Sequence, residues 1–171
     1  MRFSSLTVAA LLLAASTATA QSPNDAQIAH IVVTANQVDI DAGKLAESKG
    51  ASKDVKDFGK MMATDHTGVN KQALALATKL NVKPEDNPTS QSLKQGGEAN
   101  VKALRGLSGN AFDKAYINHE VEYHQSVLDA VDKTLIPSAQ NAELKALLVK
   151  TRPAFVAHLD RAKDIQSKLG K

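Results

Sequence analysis

The sequence predicts an all-α protein, a bundle of two long helical hairpins joined by a shorter connecting helix. Two observations carry that expectation. Apolar residues recur at spacings of three and four over four long segments, which puts each set on one helix face. Between those segments stand Gly50, the pair Pro84 and Pro88, the stretch Gly106 to Gly109, and Pro137, residues that end helices or cannot continue them.

The chain of 171 residues begins with a stretch that reads differently. Arg2 supplies a positive start, Leu6 to Ala15 an apolar run, and Ala18-Thr-Ala20 a small-residue cleavage site. Residues 1–20 are therefore expected to be a signal peptide, cleaved before Gln21, since the run is shorter than the roughly 20 residues that a membrane span needs. Residues 21–171 are then one helical domain, exported to the periplasm or outer-membrane region of a Gram-negative bacterium. The sequence has no cysteine, which excludes thiol catalysis and cysteine metal sites. The formal net charge of +3 is spread without a basic block, and there is no tryptophan, so no nucleic-acid partner is expected. No transmembrane segment is expected after residue 20, and no protein partner can be named.

The first helix is expected to start at Asn24 or Asp25 and to bury Ile28, Ile31, Val32, Ala35, Val38, Ala42 and Leu45. Asp39 lies at the edge of that stripe, Gln37 and Asp41 point away, and Gly50 ends the helix. Ser52 caps the second helix, with Asp54 in its first turn. Its stripe runs Val55, Phe58, Met62, Val69, Ala73, Leu76 and Leu80, and the position needed between Met62 and Val69 holds His66. Residues 81–88 form a loop. A weaker segment from Thr89 or Ser90 carries Leu93, Val101, Leu104 and Leu107. Gly96-Gly97 interrupts it, each glycine costing about 1 kcal/mol relative to alanine, so a short, broken helix is expected there.

Asn110 is expected to cap the fourth helix, which runs to about Leu135 on Ile117, Val127, Leu128, Val131 and Leu135. Positions 120 and 124 should continue that stripe, and they hold Glu120 and His124. His119 and Glu122 fall off the face, toward solvent. The last helix starts within Ser138 to Asn141 and carries Leu144, Leu147, Leu148, Thr151, Ala154, Phe155, Ala162, Ile165 and Leu169. Position 158 of the stripe is again a histidine. Pro153 should kink this helix one turn before His158 and leave the Val149 carbonyl free.

Three of the five histidines thus sit at core positions on three different helices, with Glu120 on the face of His124 and Asp39 on a fourth helix. An unpartnered buried polar group costs several kcal/mol. The three imidazoles are tolerable if they meet each other and the carboxylates, or if they bind a cation. His with Asp or Glu is a ligand set for Zn, Cu, Fe, Mn or Ni. Counted from the turn near Gly50, Asp39 and His66 differ in depth by roughly 7 Å at 1.5 Å per residue, so Asp39 or His124 could stand behind the ligands. Met62, one turn before His66, offers a thioether suited to Cu(I), although core packing accounts for it better.

Two readings stay open on these residues. One is a single transition-metal site formed by His66, His124, His158, Glu120 and Asp39. The other is a non-catalytic protein whose buried histidine network only fixes helix register while its outer faces bind a partner. No catalytic residue is assigned, because no nucleophile pairs with the histidines and four helices enclose them.

The segments Gly43-Lys-Leu45-Ala46, Val55-Lys-Asp-Phe58, Met62-x-x-Asp65-His66-Thr67, Phe112-Asp-x-x-Tyr116, His124-Gln125 and Pro153-x-x-x-x-His158-Leu159 resemble the family called domain of unknown function 4142. The resemblance covers nearly all of residues 21–171. It implies a ferritin-like four-helix bundle and an exported bacterial protein of a kind labelled as outer-membrane protein, and it brings no established activity. A role in stress or envelope homeostasis rests on analogy. The family usually carries Glu where this chain has Asp39. Ferritin-like di-iron proteins use a Glu from each of two helices and Glu-x-x-His on the other two. Here Ala63 and Phe155 precede His66 and His158 at that spacing, so a single ion is expected rather than a di-iron centre.

Overall fold

The computed structural model describes residues 22–170, and the expected signal peptide lies outside the described residues. Five helices follow one another: α1 (Asp25–Lys49), α2 (Lys53–Lys79), α3 (Pro88–Arg105), α4 (Gly109–Ala130) and α5 (Ala142–Leu169). No strand occurs among the described residues, and none of the described helices is long and apolar enough to cross a membrane. After α4 the chain widens into a π-helical turn, Val131–Leu135, ahead of Pro137, which has no N–H for the helix ladder.

The caps follow hydrogen-bond chemistry. Asn24 accepts from the Gln27 N–H while the Gln27 side chain accepts from the Asn24 N–H, and Ser52 accepts from the Val55 N–H. Three expectations are corrected. The cap of α3 is Asn87, paired reciprocally with Ser90, so Pro88 falls in the first turn, where its missing N–H is harmless. α4 begins one residue before Asn110, behind Ser108, with Gly109 at φ +59°. Third, α3 is not broken at Gly96-Gly97. A β-carbon at Gly97 would lie 2.6 Å from the Val38 side chain, so the glycine that weakens α3 is also what lets it lie against α1. Pro153 stands inside α5, which continues through it to Leu169.

α1 packs most extensively on α2, and α4 on α5. α3 lies against α1, and the two hairpins meet through α2 with α5 and α1 with α4. α1 and α2 approach closely at Gly43 and Gly59, where a β-carbon on either would lie 2.6 Å from the other's carbonyl oxygen. Two apolar layers result. One gathers Ala42, Ala46, Val55, Phe58, Met62, Phe112, Tyr116, Ile117, Ala162 and Ile165. The other gathers Ile28, Ile31, Val131, Leu135, Leu144 and Leu148. Burying a side chain of this size is worth roughly 1.5–3 kcal/mol, so these layers hold the helices together. On all four long helices the polar residues of interest fall between the two layers in sequence.

A carboxylate ties down the turn at each end. Asp113 of α4, buried, accepts from the Ala51 and Ser52 N–H groups at 2.8 Å each, where α1 turns into α2. Asp25 of α1 accepts from the Gln140 and Asn141 N–H groups at 2.9 Å each, ahead of α5. Replacing Asp113 by alanine removes two charge-assisted bonds and strands two amides, so urea denaturation is expected to show a loss of about 3 kcal/mol. A loss below about 1 kcal/mol would mean that water replaces the carboxylate without penalty.

Candidate metal centre

Between the apolar layers, α1, α2, α4 and α5 each turn polar side chains inward. The stripe of α2 delivers His66, that of α4 delivers Glu120 and His124, that of α5 delivers His158, and α1 delivers Asn36 and Asp39. None of these six residues is more than 4% exposed. The ring centroids of the three histidines stand 5.2–5.7 Å apart, and one ring nitrogen from each lies within 4.8 Å of the other two. Asp39, Glu120 and His124 form a second group of donor atoms within the same limit. The five residues expected from the sequence therefore form two adjoining groups that share His124, and Asp39 lies fully inside rather than at a margin.

Hydrogen bonds decide which nitrogen of each ring carries its proton. Asn36 Nδ2 donates to the Val32 carbonyl at 2.8 Å, so its oxygen faces His66 Nδ1 at 2.7 Å and the ring must donate there. His124 Nδ1 stands 3.1 Å from the Glu120 carbonyl oxygen, and His158 Nε2 stands 3.0 Å from Asp65 Oδ2; both partners only accept. Each outer nitrogen is thereby the N–H. Each inner nitrogen, His66 Nε2, His124 Nε2 and His158 Nδ1, keeps a lone pair and has no hydrogen-bond partner. Locking one ring nitrogen to an acceptor so that the other presents its lone pair is how proteins orient metal-binding histidines. His66 Nε2 also faces Asp39 Oδ2 at 3.5 Å, and both oxygens of Glu120 lack partners.

Comparison with known families gives a match. The family model described as Domain of unknown function (DUF4142) covers residues 10–165. The chain belongs to this family. No curated protein and no solved structure matches it. In this member of the DUF4142 family the quoted motifs acquire positions. Phe112-Asp is a core ring beside the Asp113 clamp, Gly43 is the close helix contact, and Asp65-His66 splits between the centre and its outer edge.

Three partners went unread in the sequence. Asn36 orients His66, and its place four residues after Val32, beside the apolar stripe, was the available signal. Asp65 was noticed only as part of a motif, because i,i+1 spacing sends it to a different face from His66; its carboxylate reaches His158 across the helix interface, with its side chain 47% exposed. Phe155 stands where a di-iron helix would place Glu, and it stacks on His66 with centroids 5.6 Å apart and planes at 8°. Tyr116, completely buried, points a hydroxyl without a partner. Met62 is part of the apolar layer.

Burial, then the neighbouring His124 and His158, hold His66 well below the ordinary histidine pKa. Burial lowers His158 as well, against the opposing bond from Asp65, and lowers His119. Burial and then the charge of Glu120 push Asp39 well above the usual carboxylate range. The two directions act oppositely on stability. A histidine with a lowered pKa contributes stability above its unfolded value near 6.5 that is lost as pH falls toward its folded value. Asp39, with a raised pKa, favours the fold only near and below its unfolded value of about 3.9 and works against it as pH rises. His66, His158 and His119 act in the first direction and Asp39 alone in the second. In chelator, the urea midpoint of this DUF4142 protein is expected to fall as pH drops from about 7 to 4.5; a flat profile would show that the rings are not held neutral.

Proposed function

We propose that the protein is an exported, ferritin-like four-helix-bundle protein whose buried centre holds one transition-metal ion, with His66, His124 and His158 as nitrogen ligands. The observation that carries this reading is the set of three bare, inward nitrogens, each fixed by a hydrogen bond on the far side of its ring. Three unpartnered buried imidazole nitrogens would each cost free energy in a purely structural network, whereas a cation uses all three. The donor set suits Zn, Cu, Fe, Mn or Ni. The near-complete burial of the ligands suits retention of an ion better than turnover of a substrate larger than water. Export is supported by the signal-peptide features of residues 1–20, and the ferritin-like arrangement by two long hairpins with a connecting helix between them.

Elemental analysis tests this on protein recovered from the periplasm and on purified protein exposed in turn to Zn, Cu, Ni, Mn and Fe. About one equivalent is expected in the wild type and under a tenth of that in His66→Ala. If none of the metals is retained stoichiometrically, the reading fails and the histidines only fix helix register.

A further inference from the structure

We infer that the ion enters and leaves the three-histidine site through the seam between α2 and α5, where the Asp65 carboxylate meets it at the surface and His158 draws it inward. This rests on the metal reading above and adds the route by which the site fills.

The group behind each ring decides the route. His66 is backed by Asn36, itself buried and fixed to the Val32 carbonyl. His124 is backed by the main-chain carbonyl of buried Glu120 on its own helix. His158 differs. Its Nε2 donates to Asp65 Oδ2 at 3.0 Å, and the Asp65 side chain is 47% exposed while that of His158 is 5% exposed. The other nitrogen of the same ring, Nδ1, is buried without a hydrogen-bond partner and faces the site. One imidazole therefore bridges a solvent-exposed carboxylate and the interior.

The neighbouring side chains leave that pair uncovered. Gly68, three residues after Asp65 on α2, has nothing within 4 Å of its β-position, and Ala154, four residues before His158 on α5, is exposed. Positions at those spacings share a helix face with the pair, so a larger side chain at either would lie beside it. Pro153 also removes one helix hydrogen bond just over a turn before His158, which lowers the cost of moving this part of α5.

The chemistry of entry follows from charge and hydration. An unpaired ion in a dry interior is strongly disfavoured, so an ion cannot cross the apolar layers unaided. A carboxylate at the mouth attracts the hydrated cation and replaces part of its water with oxygen. The bond from His158 Nε2–H to Asp65 opens as the ion arrives, and rotation of the ring brings the Nδ1 lone pair to it. Nε2 keeps its proton throughout, and its bond to Asp65 re-forms behind the ion once His66 and His124 complete the site.

Stopped-flow absorbance tests this by following Co(II) uptake by metal-free protein, and release into excess EDTA, in wild type, Asp65→Asn, Gly68→Leu and Asp57→Asn. Asp65→Asn keeps the side-chain size and an oxygen for His158. Its uptake at low salt is expected to fall about 10-fold or more and to lose most of its salt dependence. A leucine at position 68 leans back over the preceding turn and covers Asp65. Gly68→Leu should therefore slow uptake and release alike, by about 3-fold or more, and leave the dissociation constant within about 2-fold of wild type. Asp57→Asn, at an exposed acid of the same helix paired with Lys53, should keep wild-type rates. Uptake at the wild-type rate with faster release in Asp65→Asn would show that Asp65 only orients His158. That result, wild-type rates in Gly68→Leu, or equal slowing in Asp57→Asn would each overturn the inference while leaving the metal reading intact. No Co(II) uptake by wild type would overturn both.

Discussion

Replacing Gly59 with alanine is expected to lower the melting temperature by roughly 2–12 °C. A β-carbon there would lie 2.6 Å from the Gly43 carbonyl oxygen, 2.7 Å from the Glu47 amide nitrogen and 2.8 Å from Ala46 Cβ. Two of those neighbours are main chain and cannot rotate aside, so α1 and α2 must separate. Gly43 lies one turn after Asp39, and Gly59 lies two turns before His66, so the separation would also loosen the Asp39–His66 contact. Overpacking of this kind costs about 1–3 kcal/mol or more, and a domain of this size loses about 2–4 °C per kcal/mol. Gly68→Ala is the control: nothing stands within 4 Å of its β-position, and alanine favours the helix by about 1 kcal/mol, so that variant should melt at or above wild type. Equal melting of both variants would show that the helices do not meet as closely as the structure has them.

Saturation with a divalent ion is expected to raise the melting temperature by roughly 8–16 °C over protein in chelator, and His66→Leu is expected to abolish that rise. At a free concentration 1,000 times the dissociation constant, binding to the folded state alone contributes about 4 kcal/mol. Spread over a domain of this length, that gives the stated shift. In chelator, His66→Leu should melt within a few degrees of wild type. The apolar side chain suits the site beside Phe155, while the Asn36 oxygen loses its donor. Scanning calorimetry of both proteins in both conditions separates the two roles of the histidines. If metal shifts neither protein, the network is structural only.

Much of the helical architecture was legible because its signals are local. Ser52 and Asn24 cap where hydroxyl and amide chemistry demands, and the stripes at spacings of three and four name the buried faces of all four long helices. The departures came from distant partners. Gly97 looked like a breaker because propensity ignores Val38, which lies on another helix. Asp113 and Asp25 looked like ordinary acids because the amides that they hold lie 62 and 115 positions away in sequence. His66, His124, His158, Glu120 and Asp39 were found because polar residues interrupted apolar periodicity. Asn36 and Asp65 were not, since their roles depend on which ring nitrogen they touch.

The sequence by itself determined the helical class, the family and the five inward polar residues, because periodicity and motif spacing belong to the chain. Only the tertiary structure decided that these residues form two adjoining groups that share His124, which nitrogen of each ring is bare, and that two carboxylates face them with no buried cationic side chain nearby. Those facts depend on how four helices are rotated and set in depth against each other. Glycine contacts between helices and clamps at the two ends of the bundle control that setting, and helical periodicity carries no record of it.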